Sequence, residues 1–347
     1  MEKKILVALS GGVDSATCVS LLKKQGYEVA GVVIKMSEAH EQTVKDAKEA
    51  AKQLGIPLYV EDRTEDFKKY VTDYFISEYC TGRTPNPCIV CNPNVKFKTL
   101  VDVADRYGYD KVATGHYAKI VQRDGKYLLA RGDSKKRDQS YMLYRLGQRE
   151  LKRLVFPLAQ MEKDKVRALA DEEDLSCAKK PDSQEICFVP DNNYVRFIEE
   201  NGGKSRPGEF ISPEGKVCGT HQGIIHYTVG QRKHLGIALG RPVFVKKIDP
   251  VENRVYLADA GQEYDRSAIV DQMTFPSGIE RTEPFEAWVK IRSMAPLAKA
   301  RITPLEGKRA KVEFEAPQRA VAKGQSIVMY DEDEIVIGGG FVQEVFE

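Results

Sequence analysis

Short apolar runs alternate with helical periods along the first part of the chain. Runs rich in β-branched residues at 5–9, 28–35 and 57–60 predict strands, and periods of 3.6 residues at 15–25 and 42–54 predict helices between them. This βαβαβ order is typical of the α/β class. It predicts a doubly wound parallel sheet that binds ligands at the carboxyl ends of its strands.

Further elements follow the same pattern. Residues 64–80 and 163–173 are expected to form helices, residues 111–114 a strand, and Asp124-Gly125 the tip of a hairpin. The intervening segment 81–94 contains three prolines, and we expect it to lack regular structure.

The pattern changes after residues 201–203, where Gly and Pro punctuate short strands and helical periods largely disappear. We therefore predict a catalytic domain at 1–200, a small central β domain at 201–271 and a C-terminal barrel-like β domain at 272–347.

Composition narrows the class of protein. The 347 residues carry 53 Lys or Arg and 51 Asp or Glu, so the formal net charge is only +2 and any nucleic acid must bind to local basic patches. No apolar run reaches membrane-spanning length and the chain starts with charged residues, so we expect a cytoplasmic protein without a membrane partner. Seven scattered cysteines favour free thiols, a metal site or catalysis over disulfides.

The hexapeptide Ser10-Gly11-Gly12-Val13-Asp14-Ser15 stands where the first strand ends and the first helix begins. Two glycines let the backbone wrap closely around a phosphate, two serines add hydroxyl donors, and the helix start supplies positive dipole charge. Asp14 either caps the helix or helps to position Mg²⁺. The alternative is a plain Gly-rich turn. A Walker loop is excluded because no Gly-Lys-Ser/Thr follows.

This hexapeptide resembles the signature of the PP-loop ATP pyrophosphatases. The resemblance implies an adenine-nucleotide-hydrolase-like fold, with ATP cleaved between its α and β phosphates and a substrate oxygen adenylated. ATP and Mg²⁺ are then the expected cofactors.

Three cysteines stand out. Cys88 and Cys91 form Cys-x-x-Cys in the Pro-rich segment, and Cys187 follows about a hundred residues later. The pair is either half of a zinc site or a sulfur-handling site, because thiolates are both metal ligands and nucleophiles. We interpret the other four as ordinary, mostly buried thiols: Cys18, Cys80, Cys177 and Cys218.

With these cysteines the resemblance narrows to the tRNA-specific 2-thiouridylases and extends along the whole chain. It is carried by residues 8–15, 82–87, 91–92, 96–98, 113–117, 138–141, 182–183, 187–188, 219–223, 230–233 and 338–340. The resemblance implies ATP contacts at Ala8, Leu9, Ser10, Gly11, Gly12, Val13, Asp14, Ser15, Ile34 and Gly115. It implies tRNA contacts at Asn86, Pro87, Cys88, His116, Arg137, Asp138, Gln139, Arg292, Ser293 and Gln325.

Two segments depart from the family pattern. Many members have Asn-Pro-Asp where this chain has Asn86-Pro87-Cys88, so a third sulfur replaces a carboxylate. Residues 35–38 lack the Trp and acidic run of relatives. From the first departure we predict that Cys88, Cys91 and Cys187 ligate a 4Fe–4S cluster whose open iron presents sulfide. The alternative is a persulfide on Cys187 that Cys91 resolves, with Cys88 a bystander.

The predicted function is ATP-dependent adenylation of the C2 carbonyl oxygen of a wobble uridine, followed by sulfur transfer, with Asp14, Cys88, Cys91 and Cys187 catalytic. Partners are the anticodon loop of tRNA and a sulfur donor, which is a cysteine desulfurase, a relay protein or free sulfide. Alternatives are a PP-loop ligase for a small metabolite and an RNA-binding module with structural zinc. A purely structural role also stays open for two of these features. His116 could be a structural hydrogen-bonding residue, and the basic run 135–137 could be a solvated turn.

Overall fold

The computed structural model describes residues 3–180 and 186–347. The predicted motif at 182–183 lies outside these residues. In chain order the first domain contains β1 (Lys4–Ala8), α1 (Val13–Lys24), β2 (Glu28–Lys35), α2 (Glu41–Leu54), β3 (Leu58–Asp62), α3 (Thr64–Phe67), α4 (Asp73–Cys80), α5 (Pro87–Cys91), α6 (Phe97–Tyr107), β4 (Lys111–Ala113), β5 (Ala118–Arg123), β6 (Lys126–Arg131), α7 (Ser140–Leu143), α8 (Gln148–Leu151), β7 (Leu154–Val155), α9 (Lys163–Glu172) and α10 (Tyr194–Glu200).

A five-stranded sheet in the order β3-β2-β1-β4-β7 forms the centre of this domain, and its neighbouring strands are parallel. Leu6 of β1 packs into one buried cluster, with α6, whereas Ile5 and Val7 pack into another, with α1. Strands buried on both faces read as continuous apolar runs. The predicted doubly wound sheet is confirmed, and its strand order reverses beside β1, where β1 and β4 are neighbours.

The Pro-rich segment differs from its prediction in its second part. Residues 81–86 contain no helix or strand, as expected, but from Pro87 the chain forms α5, which continues through a π-helical turn at Asn92–Lys96 into α6. Pro87 occupies the first helical position, where its missing N–H costs nothing, and the Asn86 side chain accepts from the Cys88 N–H. Pro93 stands early in the wider π turn. The positions of the prolines, and not their number, therefore determine where this segment is helical.

The hairpin prediction is confirmed, since β5 and β6 pair in antiparallel register around Asp124 and Gly125. Both of these residues have positive φ, 50° and 70°, as a tight hairpin turn requires.

The central β domain contains β8 (Gly208–Ile211), β9 (Val217–His221), β10 (Val243–Asp249) and β11 (Arg254–Asp259), in the sheet order β10-β11-β8-β9. Its apolar face, including Phe210 and Val245, shares one buried cluster with Phe75 and Tyr79 of α4. The central domain is therefore held against the helix that leads into the cysteine segment.

The last domain is a closed barrel of β12 (Tyr264–Thr274), β13 (Phe285–Lys290), β14 (Ala298–Leu305), β15 (Arg309–Arg319), β16 (Ser326–Tyr330) and β17 (Val336–Phe346). The predicted boundary at 271–272 falls inside β12. At that point the register with β17 shifts and Gln272 has a φ of 48°. The strand contains a β-bulge here, and in the sequence alone this irregularity is interpreted as a domain boundary.

The barrel and the first domain share a core. Tyr141 and Tyr144 lie in one buried cluster with Tyr330 and Phe341. Gly339 is required here, because a Cβ atom on it would lie 2.9 Å from the Tyr144 ring. Within residues 3–180 and 186–347, no helix has both the length and the apolar character needed to cross a membrane.

Candidate functional site

The phosphate loop connects β1 to α1 at the carboxyl edge of the sheet. The Ser15 hydroxyl donates to the Gly12 carbonyl at 3.0 Å and accepts from the Ser10 N–H at 3.2 Å. Gly11 has a φ of 72°, and a Cβ atom there would lie 2.5 Å from the Cβ of Asp46, so only glycine fits. Gly12 precedes α1 and offers no capping side chain, which leaves the first-turn amides available to an anion.

The other residues predicted to contact ATP surround this loop. The side chains of Leu9 and Val13 are buried in the core, so these two can meet a nucleotide only through their backbone. Ala8 ends β1, and Ile34 lies near the end of β2. Gly115 follows β4, and a Cβ on it would lie 3.0 Å from the Cβ of Asp14. The structure thus brings the predicted set together, with Gly115 allowing the close approach.

Asp14 is held by Tyr117, which the sequence indicated only as part of the 113–117 motif, and by Lys163, which it did not indicate. The Tyr117 hydroxyl donates to its Oδ1 at 2.8 Å, and the Lys163 ammonium donates to its Oδ2 at 2.7 Å. The Lys163 side chain is buried, whereas 32 % of the Asp14 side chain is exposed. Burial and the Asp14 charge raise the pKa of Tyr117, so its hydroxyl stays a donor. Asp14 therefore presents a fixed carboxylate beside the loop.

The predicted sulfur site lies where α5 follows the Asn86-Pro87 turn. Cys91 is buried and its Sγ lies 3.8 Å from the Sδ of Met36, the residue that follows β2. Cys88 and Cys187 are exposed. Burial raises the pKa of Cys91 to about 12, and the nearby Cys88 and Cys187 thiols contribute to this rise. Although Cys187 as a whole residue is exposed, protein atoms packed around its thiol desolvate it and, with a contribution from Cys88, raise its pKa to about 11. The three predicted cysteines are thus electrostatic neighbours.

Lys96, at the end of the π turn, acts electrostatically on the cysteine group and on His116. Its positive charge opposes the rise in pKa of all three thiols and lowers the pKa of His116, which follows Gly115. No carboxylate in the described part of the chain forms an ion pair with Lys96. The only sequence signal was its place in the 96–98 motif, which assigned it no role.

The predicted iron–sulfur cluster does not fit this arrangement. Among the described residues, which include Cys88, Cys91 and Cys187, no group of three or more His, Cys, Asp or Glu side chains is placed to hold a metal ion. Cys91 instead turns its sulfur toward Met36 in the apolar cluster below the helix. A cluster needs three converging thiolates, and the sulfurs of these three cysteines are not placed in that way.

The three residues predicted to contact tRNA at 137–139 lie in different environments. Arg137 is exposed. The Asp138 carboxylate is buried and accepts from the Arg131 guanidinium, the Gly132 N–H and both the N–H and hydroxyl of Ser140. The Asp138 carboxylate therefore holds the loop, and the predicted contact of Asp138 with tRNA would have to come from its backbone. Gln139 accepts from the Tyr117 N–H at 3.0 Å and so supports the partner of Asp14.

Other predicted tRNA residues connect domains. The Arg292 guanidinium donates to the carbonyls of Val229 in the central domain and Ala320 in the barrel, at 2.8 and 2.9 Å. The Gln325 amide donates to the Thr84 carbonyl at 2.9 Å. Ser293, next to Arg292, is half-buried. These residues fix the domains around the 82–87 segment.

His116 has a structural environment. Its Nδ1 lies 2.7 Å from the Thr114 hydroxyl, and its ring lies between Phe97 and Phe156. Burial, with the Lys96 charge in support, lowers its pKa well below the usual value. A neutral ring can hydrogen-bond a base but cannot attract phosphate by charge. Away from this group, Cys18 and Cys177 are buried and Cys80 and Cys218 half-buried.

The fold and loop define a class: an α/β domain with a Gly-rich anion loop at its topological switch point, joined to two β domains. Three family profiles match consecutive parts of the chain. They are described as tRNA methyl transferase HUP domain (residues 3–191), tRNA methyl transferase PRC-barrel domain (195–259) and Aminomethyltransferase beta-barrel domain (265–342).

Relatives match the chain from end to end. The tRNA-specific 2-thiouridylase MnmA of Acetivibrio thermocellus is 46 % identical over 358 residues, and that of Clostridium perfringens 44 % over 357; each match covers 99 % of both chains. A solved NMN synthetase from Francisella tularensis is 16 % identical, with a TM-score of 0.34 over 59 % of this chain and 79 % of its own. The chain belongs to the family of tRNA-specific 2-thiouridylases.

Proposed function

We propose that this protein is a tRNA uridine 2-sulfurtransferase that uses ATP to adenylate the C2 carbonyl oxygen of a wobble uridine and then replaces that oxygen with sulfur. One observation carries the proposal. The phosphate loop follows β1, the contact of Met36 with Cys91 follows β2, and Gly115-His116 follows β4, so nucleotide loop and thiols share one edge of the sheet. Lys96 acts electrostatically toward both sides.

Activation belongs to the phosphate loop. The first-turn amides of α1, including that of Ser15, and the Ser10 hydroxyl would hold the ATP phosphates, and Asp14 would hold Mg²⁺ with the oxygen lone pairs left by Tyr117 and Lys163. Mg²⁺ supplies charge neutralisation for the departing pyrophosphate. A carbonyl oxygen that carries AMP departs as a phosphate monoester, so the C2 atom becomes open to a sulfur nucleophile.

Sulfur delivery belongs to Cys187 and Cys91. The terminal sulfur of a Cys187 persulfide attacks C2, and the C2–O bond breaks as AMP leaves. The Cys91 thiolate then attacks Cys187 Sγ and breaks the S–S bond, so the sulfur remains on uridine and a Cys91–Cys187 disulfide forms. An external dithiol reductant restores both thiols. The donor that loads Cys187 is a desulfurase, a relay protein or sulfide activated by an oxidant.

The tRNA would bind across all three domains. Anticodon bases are single-stranded and cost little to splay into a pocket. The Asn86-Pro87 turn lies next to Thr84, whose carbonyl accepts from the Gln325 amide, and Arg137 is exposed. The family profiles carry methyl transferase descriptions, but identity along the whole chain favours thiolation. We expect the reaction in the cytoplasm, where tRNA matures and thiols stay reduced.

Pyrophosphate release tests the activation step. Asp14→Ala and Ser10→Ala are expected to abolish tRNA-dependent release of pyrophosphate from ATP while filter binding of tRNA stays close to wild type. Asp164→Ala, at an exposed position in the first turn of α9, is the matched control. Weak tRNA binding with normal pyrophosphate release would remove Asp14 from the nucleotide site. Pyrophosphate release that does not need tRNA and that yields an amidated small metabolite would instead indicate a PP-loop ligase.

Iron content separates the two sulfur routes. Anaerobically reconstituted protein is expected to bind no stoichiometric iron, and Cys88→Asp is expected to thiolate tRNA as wild type does when a persulfide donor is present. One 4Fe–4S cluster per chain, lost in Cys88→Asp together with thiolation, would overturn the persulfide route.

A further inference from the structure

We infer that Lys163 is a positioning residue of the nucleotide loop: it compensates the charge of Asp14 so that the loop can accept a polyphosphate, and it fixes the Asp14 carboxylate. The inference rests on the proposed function, because it concerns ATP bound at residues 10–15. Lys163 comes from α9, almost 150 residues after the loop, and none of the predicted contacts includes it.

Both carboxylate oxygens of Asp14 are hydrogen-bonded. Lys163 Nζ lies 2.7 Å from Oδ2 and the Tyr117 hydroxyl 2.8 Å from Oδ1, so each carboxylate oxygen has its own donor. Tyr117 is in turn held by Gln139, whose Oε1 accepts the Tyr117 N–H and whose own N–H donates to the Tyr117 carbonyl at 2.9 Å. Two donors from separate elements fix the plane of the carboxylate.

Stability alone does not explain a lysine at this position. Only 9 % of its side chain is exposed, so the ammonium has lost most of its hydration, which is costly. Lys163 is also the first residue of α9, where the helix dipole disfavours a cation. Both effects oppose a lysine here, and the ion pair with Asp14 offsets them.

Asp14 without Lys163 would leave a negative charge at the mouth of an anion site. Asp14 stands in the first turn of α1, next to the amides that would receive phosphate, and a third of its side chain is exposed. Paired with Lys163 it is neutral as a unit, so the amides and serine hydroxyls determine the local field. Each oxygen still has lone-pair capacity on the exposed side, which leaves Asp14 able to contact Mg²⁺.

ATP affinity of the full chain, measured by equilibrium dialysis with Mg²⁺ and without tRNA, tests this inference. Lys163→Met is expected to raise the Kd for ATP roughly tenfold, as one uncompensated and partly screened charge would. Lys163→Arg should stay within about threefold of wild type, since it keeps the charge. Lys165→Met, at an exposed lysine two residues along the same helix, is the matched control and should not change the Kd.

The double variant Asp14→Asn/Lys163→Met separates charge compensation from a folding role. The neutral amide removes the repulsion, so with EDTA in place of Mg²⁺ the Kd of the double variant for ATP should return to within about threefold of wild type in the same buffer, although pyrophosphate release with Mg²⁺ stays lost. An unchanged Kd in Lys163→Met, or a double variant that binds no better than Lys163→Met, overturns the inference. Failure of the wild-type chain to bind ATP overturns the proposed function, and the inference with it.

Discussion

The Sγ atom of Cys91 lies 3.8 Å from the Sδ atom of Met36. Cys91 ends α5, and Met36 follows β2. The buried thiol is therefore seated by the edge of the parallel sheet that also carries the phosphate loop.

Removal of the Met36 side chain should expose Cys91. Met36→Ala opens space beside the thiol, and we expect alkylation of Cys91 by iodoacetamide to rise several-fold, with about 1–2 kcal/mol of stability lost because Met36 is half-buried. Met36→Leu nearly conserves the volume and should react as wild type does. Peptide mass spectrometry measures the rates. Equal rates in Met36→Ala and wild type would show that Met36 does not shield Cys91.

Lys96 should control the reactivity of the thiols. Its charge opposes the rise in pKa of Cys187, so Lys96→Met should lower the thiolate fraction and slow alkylation of Cys187 by about fivefold at pH 8. Lys96→Arg should restore most of the rate. The control is Lys98→Met, which removes an equal charge two residues away that is paired with Asp102. Slowing of the same size in Lys98→Met would assign the effect to net charge.

Gly11 of the phosphate loop can be compared with Gly26, which lies outside the loop. Both have positive φ, 72° and 82°, but a Cβ on Gly11 would lie 2.5 Å from Asp46, whereas Gly26 has nothing within 4 Å. Gly26→Ala should cost about 1 kcal/mol from backbone strain alone, and Gly11→Ala clearly more because Asp46 must move. Urea midpoints compare the two. Equal shifts would show that Asp46 yields without cost.

His116 should make the protein less stable in acid. Its pKa is lowered by burial and Lys96, so the unfolded chain binds the proton more readily than the folded chain. Stability from this residue is therefore present above the unfolded pKa of about 6.5 and falls by up to about 1.4 kcal/mol per pH unit below it. His116→Asn should lose less stability than wild type between pH 7 and 5.5 in urea titrations. Parallel losses in the two proteins would contradict this pKa shift.

Local patterns in the sequence predicted the parallel sheet well. Strand β2 was expected at 28–35 and runs from Glu28 to Lys35, because a strand buried on both faces leaves an unbroken apolar run. Segment 81–94 was expected to be irregular because three prolines were counted without regard to position, whereas Pro87 at a helix start favours the helix it was expected to prevent.

The candidate site was predictable only where it is local in sequence. The conformation of the loop at 10–15 is determined by its own glycines and serines. Lys163 was seen only as the start of a charged helix, and its contact with Asp14 depends on how α9 packs against α1. Asp138 matched a family motif, but only its four internal hydrogen bonds show that it supports the loop. Burial and long-range pairing decide such roles.

The measurement that tests the central proposal most directly follows pyrophosphate release and 2-thiouridine in the same reaction. Wild-type protein, Cys91→Ser, Cys187→Ser and the control Cys218→Ser are incubated with ATP, tRNA and a persulfide donor, and digested tRNA is analysed by mass spectrometry. We expect Cys91→Ser and Cys187→Ser to release pyrophosphate but form no 2-thiouridine, and Cys218→Ser to do both. Normal 2-thiouridine in Cys91→Ser or Cys187→Ser, or thiolation without pyrophosphate release, would contradict adenylation followed by sulfur transfer through these two cysteines.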